Sequence, residues 1–451
     1  MADTPKPYTR IVYELSRRLP PACRQAWRKG RIRFCLAIIL AVAGFTITTA
    51  LLASSGGSPA AQHTGASPDF TTAAGLFTQC RPRLTCAVDT LQTGSDSIIA
   101  WFSLDTALQN FIRRIMKQYR PRYGAAVVMD PESGRVLALV SYRHDSMPDI
   151  GSDLFLRSIF PAASIYKTVT AAAAVENAHY TAQTMVPVTG RNHTLYRFQL
   201  KREISPWNKL RVEDAFAFSI NPAFARIGMY DVGKKVFEAY SRGFGFNARI
   251  PFELACDPSQ VCIPDDTSYA MAEFASGFNN RTTLSPLHGA LIASAVAENG
   301  AMPCPRLIDS ICRTDGQCLF RSHPSVWKKP IQSSTARELR VMMKRAVEAG
   351  TCRKAFKVLR RCAWSESIEC GGKTGSIDVD SLGKVDWFIG FAADRNAPGR
   401  SLATAVVTVH GRQWTVHSSY IGAEIFRRNL RPAPQKQIAK KKAPSVNISK
   451  G

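Results

Sequence analysis

Two apolar runs near residue 130 form the first element that the sequence predicts. Residues 125–130 and 135–141 are rich in Val, Ala and Leu, and the turn-forming residues 131–134 separate them. This pattern is typical of a β-hairpin. Because neither run alternates apolar with polar residues, both faces of the strands are expected to be buried. A second pair of strands is predicted over 387–393 and 402–410.

Helical periodicity accompanies these strands. Residues 104–117 repeat apolar side chains at a spacing of three or four, and Asp105 or Thr106 is placed to cap the first turn. Further helices are predicted over 284–300, which ends at a glycine, and over 419–430. Helices therefore stand before, between and after the predicted strands.

An uncharged segment near the N-terminus is long enough to cross a membrane. Residues 34–53 are twenty residues without Asp, Glu, Lys or Arg, and a spanning helix needs about 20. Nine of the first 33 residues are basic, whereas no Lys or Arg follows the segment until Arg81. The positive-inside rule then predicts a cytoplasmic N-terminus and an exported remainder. A cleaved signal peptide is disfavoured because the apolar stretch and the basic head are both long.

Composition divides the rest of the chain. Residues 1–33 form a basic cytoplasmic tail, and 54–100 are predicted to be a flexible linker because their first half is rich in Ser, Gly, Ala and Pro. The predicted elements fall within 101–430, and 431–451 form a basic, disordered tail. The two tails hold +7 and +6 of the formal charge of +25, which leaves +12. Nucleic-acid binding, the first implication of such a charge, is not expected of an exported domain.

Ten of the twelve cysteines lie beyond the apolar segment, and export would place them in an oxidising compartment. A spacing of six residues recurs three times, and it predicts the disulfides Cys80–Cys86, Cys256–Cys262 and Cys312–Cys318. The other four cysteines allow three pairings that the sequence does not separate. A zinc site is a weak alternative because no Cys/His cluster has ligand spacing. No metal or cofactor is expected.

A serine and a lysine stand at the start of a predicted helix. Ser164 precedes an alanine-rich run, and Pro161 disfavours helix before it. Lys167 lies three residues further on, on the same helical face. A lysine whose pKa is lowered by burial and neighbouring charge can take the proton of a serine hydroxyl. A Ser-x-x-Lys pair also occurs by chance, and a serine at a helix start is often only a cap.

Two more short motifs follow. Ser219 and Asn221 are predicted to lie in a turn between helices, because Pro222 disfavours helix at Asn221. Lys373 then begins the sequence Lys-Thr-Gly-Ser, before the second pair of strands. Ser-x-x-Lys, Ser-x-Asn and Lys-Thr-Gly in this order are typical of penicillin-binding proteins and class A β-lactamases.

The chain around these motifs resembles the transpeptidase domain of penicillin-binding proteins, in a stand-alone, membrane-anchored form. The resemblance covers roughly 101–430 and includes LDTALQ, AAVVMDPESGRVLALVS, FPAASIYK, AFAFSINPAFARIG, LSPLHGALIASAVAENG, GGKTGS and WFIGFAA. It implies an α+β fold, in which an antiparallel β-sheet is flanked by helices and a mostly helical subdomain is inserted. The active site would lie in the cleft between them.

The function that this resemblance implies is that of a D,D-transpeptidase. Such an enzyme cross-links peptidoglycan stem peptides ending in D-Ala-D-Ala through a serine acyl-enzyme, and it binds β-lactam antibiotics covalently. The expected location is the bacterial inner membrane, with one transmembrane helix and a periplasmic catalytic domain. Partners within a cell-wall synthesis complex are not specified by the sequence.

The resemblance also implies roles for the first two motifs. Ser164 resembles the nucleophile, and Lys167 resembles its general base. Ser219 is similar to the hydroxyl that passes a proton to the leaving amine. Asn221 is similar to the residue that holds Lys167 and the substrate amide.

The third motif is implied to bind the substrate. Lys373 and Thr374 resemble the pair that fixes the terminal carboxylate. Gly375 would let the substrate backbone approach the strand. The backbone N–H groups of Ser164 and Ser376 would form the oxyanion hole.

Some positions depart from the family pattern. Ala163 stands where Gly is frequent, Ser376 stands where Thr is commoner, and Phe-Asn-Asn-Arg follows Gly277 in place of Gly-Gln-Gly. No glycosyltransferase domain fits within 54–100, so polymerase activity is not expected.

Alternative functions share the same nucleophile. A D,D-carboxypeptidase or a class D-like β-lactamase would use water, in place of an amine, to resolve the acyl-enzyme. A non-catalytic β-lactam sensor or scaffold is disfavoured because the motif residues are intact and the 33-residue tail is too short for a signalling module. His410 and His417 are interpreted as surface or packing residues, not as members of a Ser/His/Asp triad.

Overall fold

The computed structural model of the chain describes residues 84–93, 96–203, 208–265 and 268–432. The predicted cytoplasmic tail and the predicted membrane segment at 34–53 lie outside these ranges, as does nearly all of the C-terminal tail. Within the ranges, no helix is both long enough and apolar enough to cross a bilayer.

The strands and helices are numbered here in chain order. The strands are β1 Val88–Thr93, β2 Asp96–Phe102, β3 Tyr123–Met129, β4 Val136–Arg143, β5 Phe160–Pro161, β6 Met185–Pro187, β7 Lys209–Arg211, β8 Thr283–Leu284, β9 Met302–Pro303, β10 Ile308–Arg313, β11 Cys318–Arg321, β12 Val326–Lys328, β13 Ile368–Val379, β14 Gly383–Asp394 and β15 Ser401–His410. The helices are α1 Thr106–Tyr119, α2 Lys167–Asn177, α3 Val212–Ala217, α4 Asn221–Ile227, α5 Gly233–Gly243, α6 Tyr269–Ser276, α7 Pro286–Ala297, α8 Ser333–Glu348, α9 Lys357–Arg360 and α10 Ser418–Asn429.

Five antiparallel strands form the central sheet, in the order β13-β14-β15-β3-β4. Both predicted hairpins are present, and they share this sheet because β15 pairs with β3. Every residue of β3 is buried, as expected for an apolar run without alternation. The Lys-Thr-Gly-Ser sequence lies in β13, the strand at one edge of the sheet.

Helices cover both faces of this sheet. Successive strand residues point to opposite sides, so each face presents apolar side chains that a helix can bury. Helices α1 and α10 pack on one face, where Val128 and Phe388 belong to the same apolar cluster as Phe426. Helix α7 packs on the other face, where Gly289 lies against Ala405. The predicted cap of α1 is Asp105, whose carboxylate accepts a hydrogen bond of 2.9 Å from the N–H of Leu108.

Helices α2 to α9 all come from the chain between β4 and β13, and, apart from the sheet-covering α7, they form the inserted, mostly helical part. Its central helix, α2, has its first eight residues buried. Small alanine side chains allow neighbouring helices to approach α2 from several sides, so it needs no polar face. The α+β fold with an antiparallel sheet and an inserted helical part is confirmed.

The end of the predicted linker forms two strands. Strands β1 and β2 pair with each other, and β2 pairs with β10 in a four-stranded sheet of order β1-β2-β10-β11. Leu91 and Ile98 are buried in the main core. The folded domain therefore begins earlier than residue 101, because these strands find a partner that lies far along the chain.

The cysteines are not bonded as the spacing predicted. Cys256 is buried, with its thiol near the carbonyl of Leu156, whereas Cys262 is exposed, so that disulfide prediction is wrong. Cys312 and Cys318 lie opposite each other across β10 and β11, but no disulfide joins them. Cys80 lies outside the described residues, so its pairing stays a prediction.

Trp387 joins the central sheet to the segment that leads to Ser164. Its side chain is fully buried, and its indole N–H donates a hydrogen bond of 2.8 Å to the carbonyl of Pro161. Trp387→Phe removes the donor and leaves that carbonyl buried without a partner, which typically costs about 1–3 kcal/mol. We expect urea unfolding to show a loss of this size in the free energy of unfolding.

Trp414→Phe is the matched control for this experiment, because the Trp414 side chain is 41% exposed. Its effect should stay within about 0.5 kcal/mol, as for most surface substitutions. Equal losses in the two variants would show that the Trp387 bond does not contribute to stability.

Candidate active site

A cavity of about 410 Å³ lies between β13 and the helical part. Six predicted site residues line it: Ser164, Ser219, Asn221, Thr374, Gly375 and Ser376. The other two, Lys167 and Lys373, are fully buried and bonded directly to lining residues. The structure therefore brings together all eight predicted residues from three distant parts of the chain.

Ser164 lies in a turn of 3₁₀ helix, Ala163–Tyr166, that leads directly into α2. Ala163 has a φ of +48°, in the left-handed region that a glycine adopts more easily. Two glycines allow neighbouring segments to pack closely against this turn. A Cβ atom at Gly277 would overlap the Ala163 carbonyl, and one at Gly375 would lie 3.0 Å from the Ser164 nitrogen. The position of the serine is thus fixed by close backbone packing.

The buried amino group of Lys167 has three hydrogen-bond partners. Its Nζ lies 2.7 Å from Ser164 Oγ, 2.7 Å from Asn221 Oδ1 and 2.6 Å from the carbonyl oxygen of Ser276. The amide of Asn221 is oriented by its own nitrogen, which donates 3.2 Å to the carbonyl of His193. Its oxygen therefore faces the lysine.

These partners determine which way a proton can move. A neutral lysine amine has two N–H donors and one lone pair. The Asn221 oxygen and the Ser276 carbonyl can only accept, so they take the two N–H groups. The lone pair then faces Ser164, the one partner of the three that has a proton to donate. A neutral Lys167 is consequently arranged as an acceptor for the hydroxyl proton of Ser164.

The surroundings of Lys167 favour that neutral form. Burial, and then the positive charge of Lys373, hold the pKa of Lys167 well below its usual range. No carboxylate is bonded to it, and the partners it does have are uncharged. Burial and a like charge both disfavour the ammonium, so the two causes act in the same direction.

Lys373 lies on the other side of the cavity floor. Its Nζ donates 2.9 Å to Ser219 Oγ and 2.7 Å to the carbonyl of Thr374. Burial lowers the pKa of Lys373 to about 7, and Cys352 opposes this shift. Ser219 itself has a φ of +56°, which is uncommon for a non-glycine residue and typical of strained functional sites.

Three participants were not predicted. The carbonyl of Ser276 bonds Lys167, and His193 and Thr351 line the cavity. The Thr351 hydroxyl lies 2.6 Å from that of Thr374, so it orients a predicted binding residue. A backbone carbonyl leaves no signature in a sequence, and His193 and Thr351 come from connections between elements, where no periodicity indicates position.

The histidines do not form a triad with Ser164. His410 is buried and bonded to Thr408, so it is a packing residue as predicted. His417 lines the cavity beside Ser419, which the sequence did not indicate. Among the residues that the structure describes, no group of three His, Cys, Asp or Glu side chains is placed to hold a metal ion.

Comparison with protein families identifies the family of this chain. Residues 124–431, more than half of the chain, match the family model of the penicillin-binding protein transpeptidase domain. The chain belongs to that family.

Among its relatives, the peptidoglycan D,D-transpeptidase PbpA of Mycolicibacterium smegmatis is 24% identical over 325 residues, which are 64% of this chain and 62% of the relative. PbpA of Mycobacterium tuberculosis is 24% identical over 65% of this chain and 63% of its own length. The chain thus spans less than two thirds of these relatives.

Solved structures share the fold. The crystal structure of PBPA from Mycobacterium tuberculosis aligns with a TM-score of 0.57 at 21% identity, covering 74% of this chain and 80% of that one. The D,D-transpeptidase domain of a peptidoglycan glycosyltransferase from Eggerthella lenta aligns with a TM-score of 0.60 at 21% identity, covering 82% and 88%.

The two lysines predict a bell-shaped dependence of β-lactam acylation on pH. The rate should rise with pH as Lys167 loses its proton and becomes a base. It should fall above the pKa of Lys373, about 7, because a neutral Lys373 no longer attracts a carboxylate. Labelling with a fluorescent penicillin, measured as a second-order rate constant across the pH range, tests both limbs.

The variant Lys373→Arg distinguishes the contributions of Lys167 and Lys373 to the pH dependence. A guanidinium stays charged throughout this range, so the alkaline limb should disappear while the acid limb remains. An alkaline limb that persists unchanged in this variant would assign it to a group other than Lys373.

Proposed function

We propose that this protein is a serine-type D,D-transpeptidase that cross-links peptidoglycan stem peptides through an acyl-enzyme and is acylated by β-lactams. The observation that supports this most directly is the hydrogen bonding of Lys167. Its other two partners are pure acceptors, so a neutral Lys167 can only accept from Ser164. The names of the mycobacterial relatives, peptidoglycan D,D-transpeptidases, agree with this assignment.

In the acylation step, Lys167 takes the hydroxyl proton as Ser164 Oγ attacks the carbonyl carbon of the penultimate D-Ala. The negative charge that develops on the carbonyl oxygen would be stabilised by the backbone N–H groups of Ser164 and Ser376. Removing one such donor typically slows acyl transfer about 10²–10³-fold. Both residues line the same cavity, and the absence of a side chain at Gly375 allows β13 to approach the Ser164 nitrogen closely.

The terminal D-Ala then leaves as an amine and needs a proton. Ser219 is placed to supply it, because its hydroxyl is bonded to Lys373 and can be reprotonated from there. Lys373 and Thr374 would meanwhile hold the terminal carboxylate. Thr351 keeps the Thr374 hydroxyl oriented through the bond of 2.6 Å between them.

A hydrolytic enzyme would use the same acylation chemistry. A D,D-carboxypeptidase or a β-lactamase differs only in that water attacks the acyl-enzyme. Hydrolysis of the β-lactam adduct within the turnover time identifies a β-lactamase. A transpeptidase and a D,D-carboxypeptidase both retain the adduct, and they differ in whether an amine or water resolves the acyl-enzyme formed from a peptide substrate.

Ser164→Ala should abolish covalent β-lactam labelling, because the attacking oxygen is gone. Lys167→Ala should slow acylation by about 10²–10⁴-fold, the usual contribution of general-base catalysis. Lys167→Arg should not restore the rate, since a guanidinium stays protonated and cannot accept. Intact-protein mass spectrometry after exposure to a β-lactam measures each outcome.

Circular dichroism and thermal unfolding serve as controls that each variant is folded. A Lys167→Ala variant that acylates at the wild-type rate would show that another group is the base. A wild-type protein that never gains the adduct mass would favour the scaffold over the enzyme.

We further propose that residues 34–53 are an uncleaved anchor of the inner membrane, with the catalytic domain on the periplasmic side. The support is the charge step across this segment, together with its length of twenty uncharged residues. A reporter that works only after export should be active when it is fused at Gly451. The mature N-terminus should be Met1 or Ala2, and an N-terminus near residue 54 would contradict the anchor.

A further inference from the structure

A second cavity, of about 690 Å³, adjoins the catalytic one. The two share His193, Phe278, Ser376 and Lys384 in their walls, so they lie side by side. We call the second cavity the outer groove. It lies along the residues that follow α6 and contains Glu273, Asn279 and Arg281.

The outer groove contains four charged side chains among its described residues. Lys384 and Asp378 pair with each other at 3.4 Å, whereas Glu273 and Arg281 are not bonded to each other. Glu273 is half-buried on α6 and forms no ion pair with any residue that the structure describes. Arg281 is exposed, and its guanidinium likewise has no ion-pair partner among the described residues. Both side chains line the same groove, so they present a carboxylate and a guanidinium to one ligand.

The carboxylate of Glu273 is partly shielded from water. Burial raises the pKa of Glu273, and the positive charge of Arg281 opposes this shift without cancelling it. A partly desolvated carboxylate without a bonded ion-pair partner attracts a cationic group more strongly than a fully hydrated one does. The groove is therefore complementary to a ligand that has a cation and an anion close together.

We propose that the outer groove binds the acyl acceptor, a primary amine that stands next to a carboxylate, with Glu273 holding the ammonium group and Arg281 the carboxylate. This inference rests on the proposed transpeptidase function, because only a transpeptidase needs a second substrate with an amine. The amine would reach the acyl-enzyme past Phe278, where the two cavities meet.

The reaction in this arrangement balances without a further reagent. Glu273 accepts one proton from the ammonium, which leaves a neutral amine. The amine nitrogen forms a bond to the acyl carbon, and the bond between that carbon and Ser164 Oγ breaks. The second proton lost by the nitrogen returns to Ser164 Oγ, by way of Lys167, and Glu273 later releases its proton to solvent.

The wall between the two cavities is linked to the catalytic residues. His193 stands in that wall, and its carbonyl accepts the amide N–H of Asn221, whose oxygen is bonded to Lys167. Burial lowers the pKa of His193, so its ring is neutral. The positive charge of this wall belongs to Lys384, which is paired with Asp378 at 3.4 Å.

Partitioning of the acyl-enzyme tests the proposal. A synthetic D-alanyl thioester serves as acyl donor, and D-alanine or D-alaninamide serves as acceptor, with hydrolysis and aminolysis products measured together. Glu273→Gln should lower the ratio of aminolysis to hydrolysis by more than about 10-fold with both acceptors, because a bond to a charged group is lost. Arg281→Ala should lower it with D-alanine and leave it unchanged with D-alaninamide, which has no carboxylate.

Two readouts should not change in these variants: the rate of penicillin labelling and the rate of hydrolysis without acceptor. Glu238→Gln and Arg242→Ala are matched controls, since both residues are exposed on α5 and line neither cavity. Both controls should retain the wild-type ratio.

Specific outcomes would overturn the proposal. A wild-type ratio of aminolysis to hydrolysis in Glu273→Gln would show that the groove does not bind the acceptor. It would not contradict the proposed transpeptidase function. Labelling and hydrolysis that fall in parallel with aminolysis would show that the substitution damages the Ser164 site instead. A wild-type enzyme that only hydrolyses the thioester would overturn both the groove and the proposed transpeptidase.

Discussion

The buried amine of Lys167 is the constraint on which the site depends. Its three partners come from three separate elements: the turn before α2, the start of α4 and the end of α6. Each must be held within hydrogen-bond distance: the Ser164 turn is held by close backbone packing, and Asn221 by its hydrogen bond to the carbonyl of His193. Gly277 at the end of α6 and Gly375 in β13 both lie where a larger residue would push the Ser164 turn away.

Burial of two lysines without a carboxylate partner lowers stability over part of the pH range. The folded pKa of Lys373, about 7, lies below the usual value of 10.5. Between those values the unfolded chain binds a proton that the folded chain does not, so stability falls as the pH falls through this window. Lys167 adds to this effect in the same direction. The same burial is what makes Lys167 a base, so the site gains reactivity where the fold loses stability.

Hydrophobic pattern alone determined much of the scaffold. The continuous apolar runs gave the β3–β4 and β14–β15 hairpins, because a strand buried on both faces needs no polar alternation. Local chemistry determined the cap of α1 at Asp105, since a cap is made within four residues of chain. The order of the three motifs also indicated the nucleophile and its neighbours, because those side chains have characteristic spacing.

Tertiary structure decided what depends on distant partners. Strands β1 and β2 form largely within the stretch predicted to be linker, because β2 pairs with β10, which is remote in sequence. Cys256 and Cys262 have a loop-like spacing, but only the fold could show that one is buried and the other exposed. The Ser276 carbonyl has no side-chain signature in the sequence. The opposite charges of Glu273 and Arg281 belong to none of the three motifs, and only the fold places them in one groove. Spacing along a chain reports neighbours within a turn or a strand, whereas contacts between elements are fixed by packing.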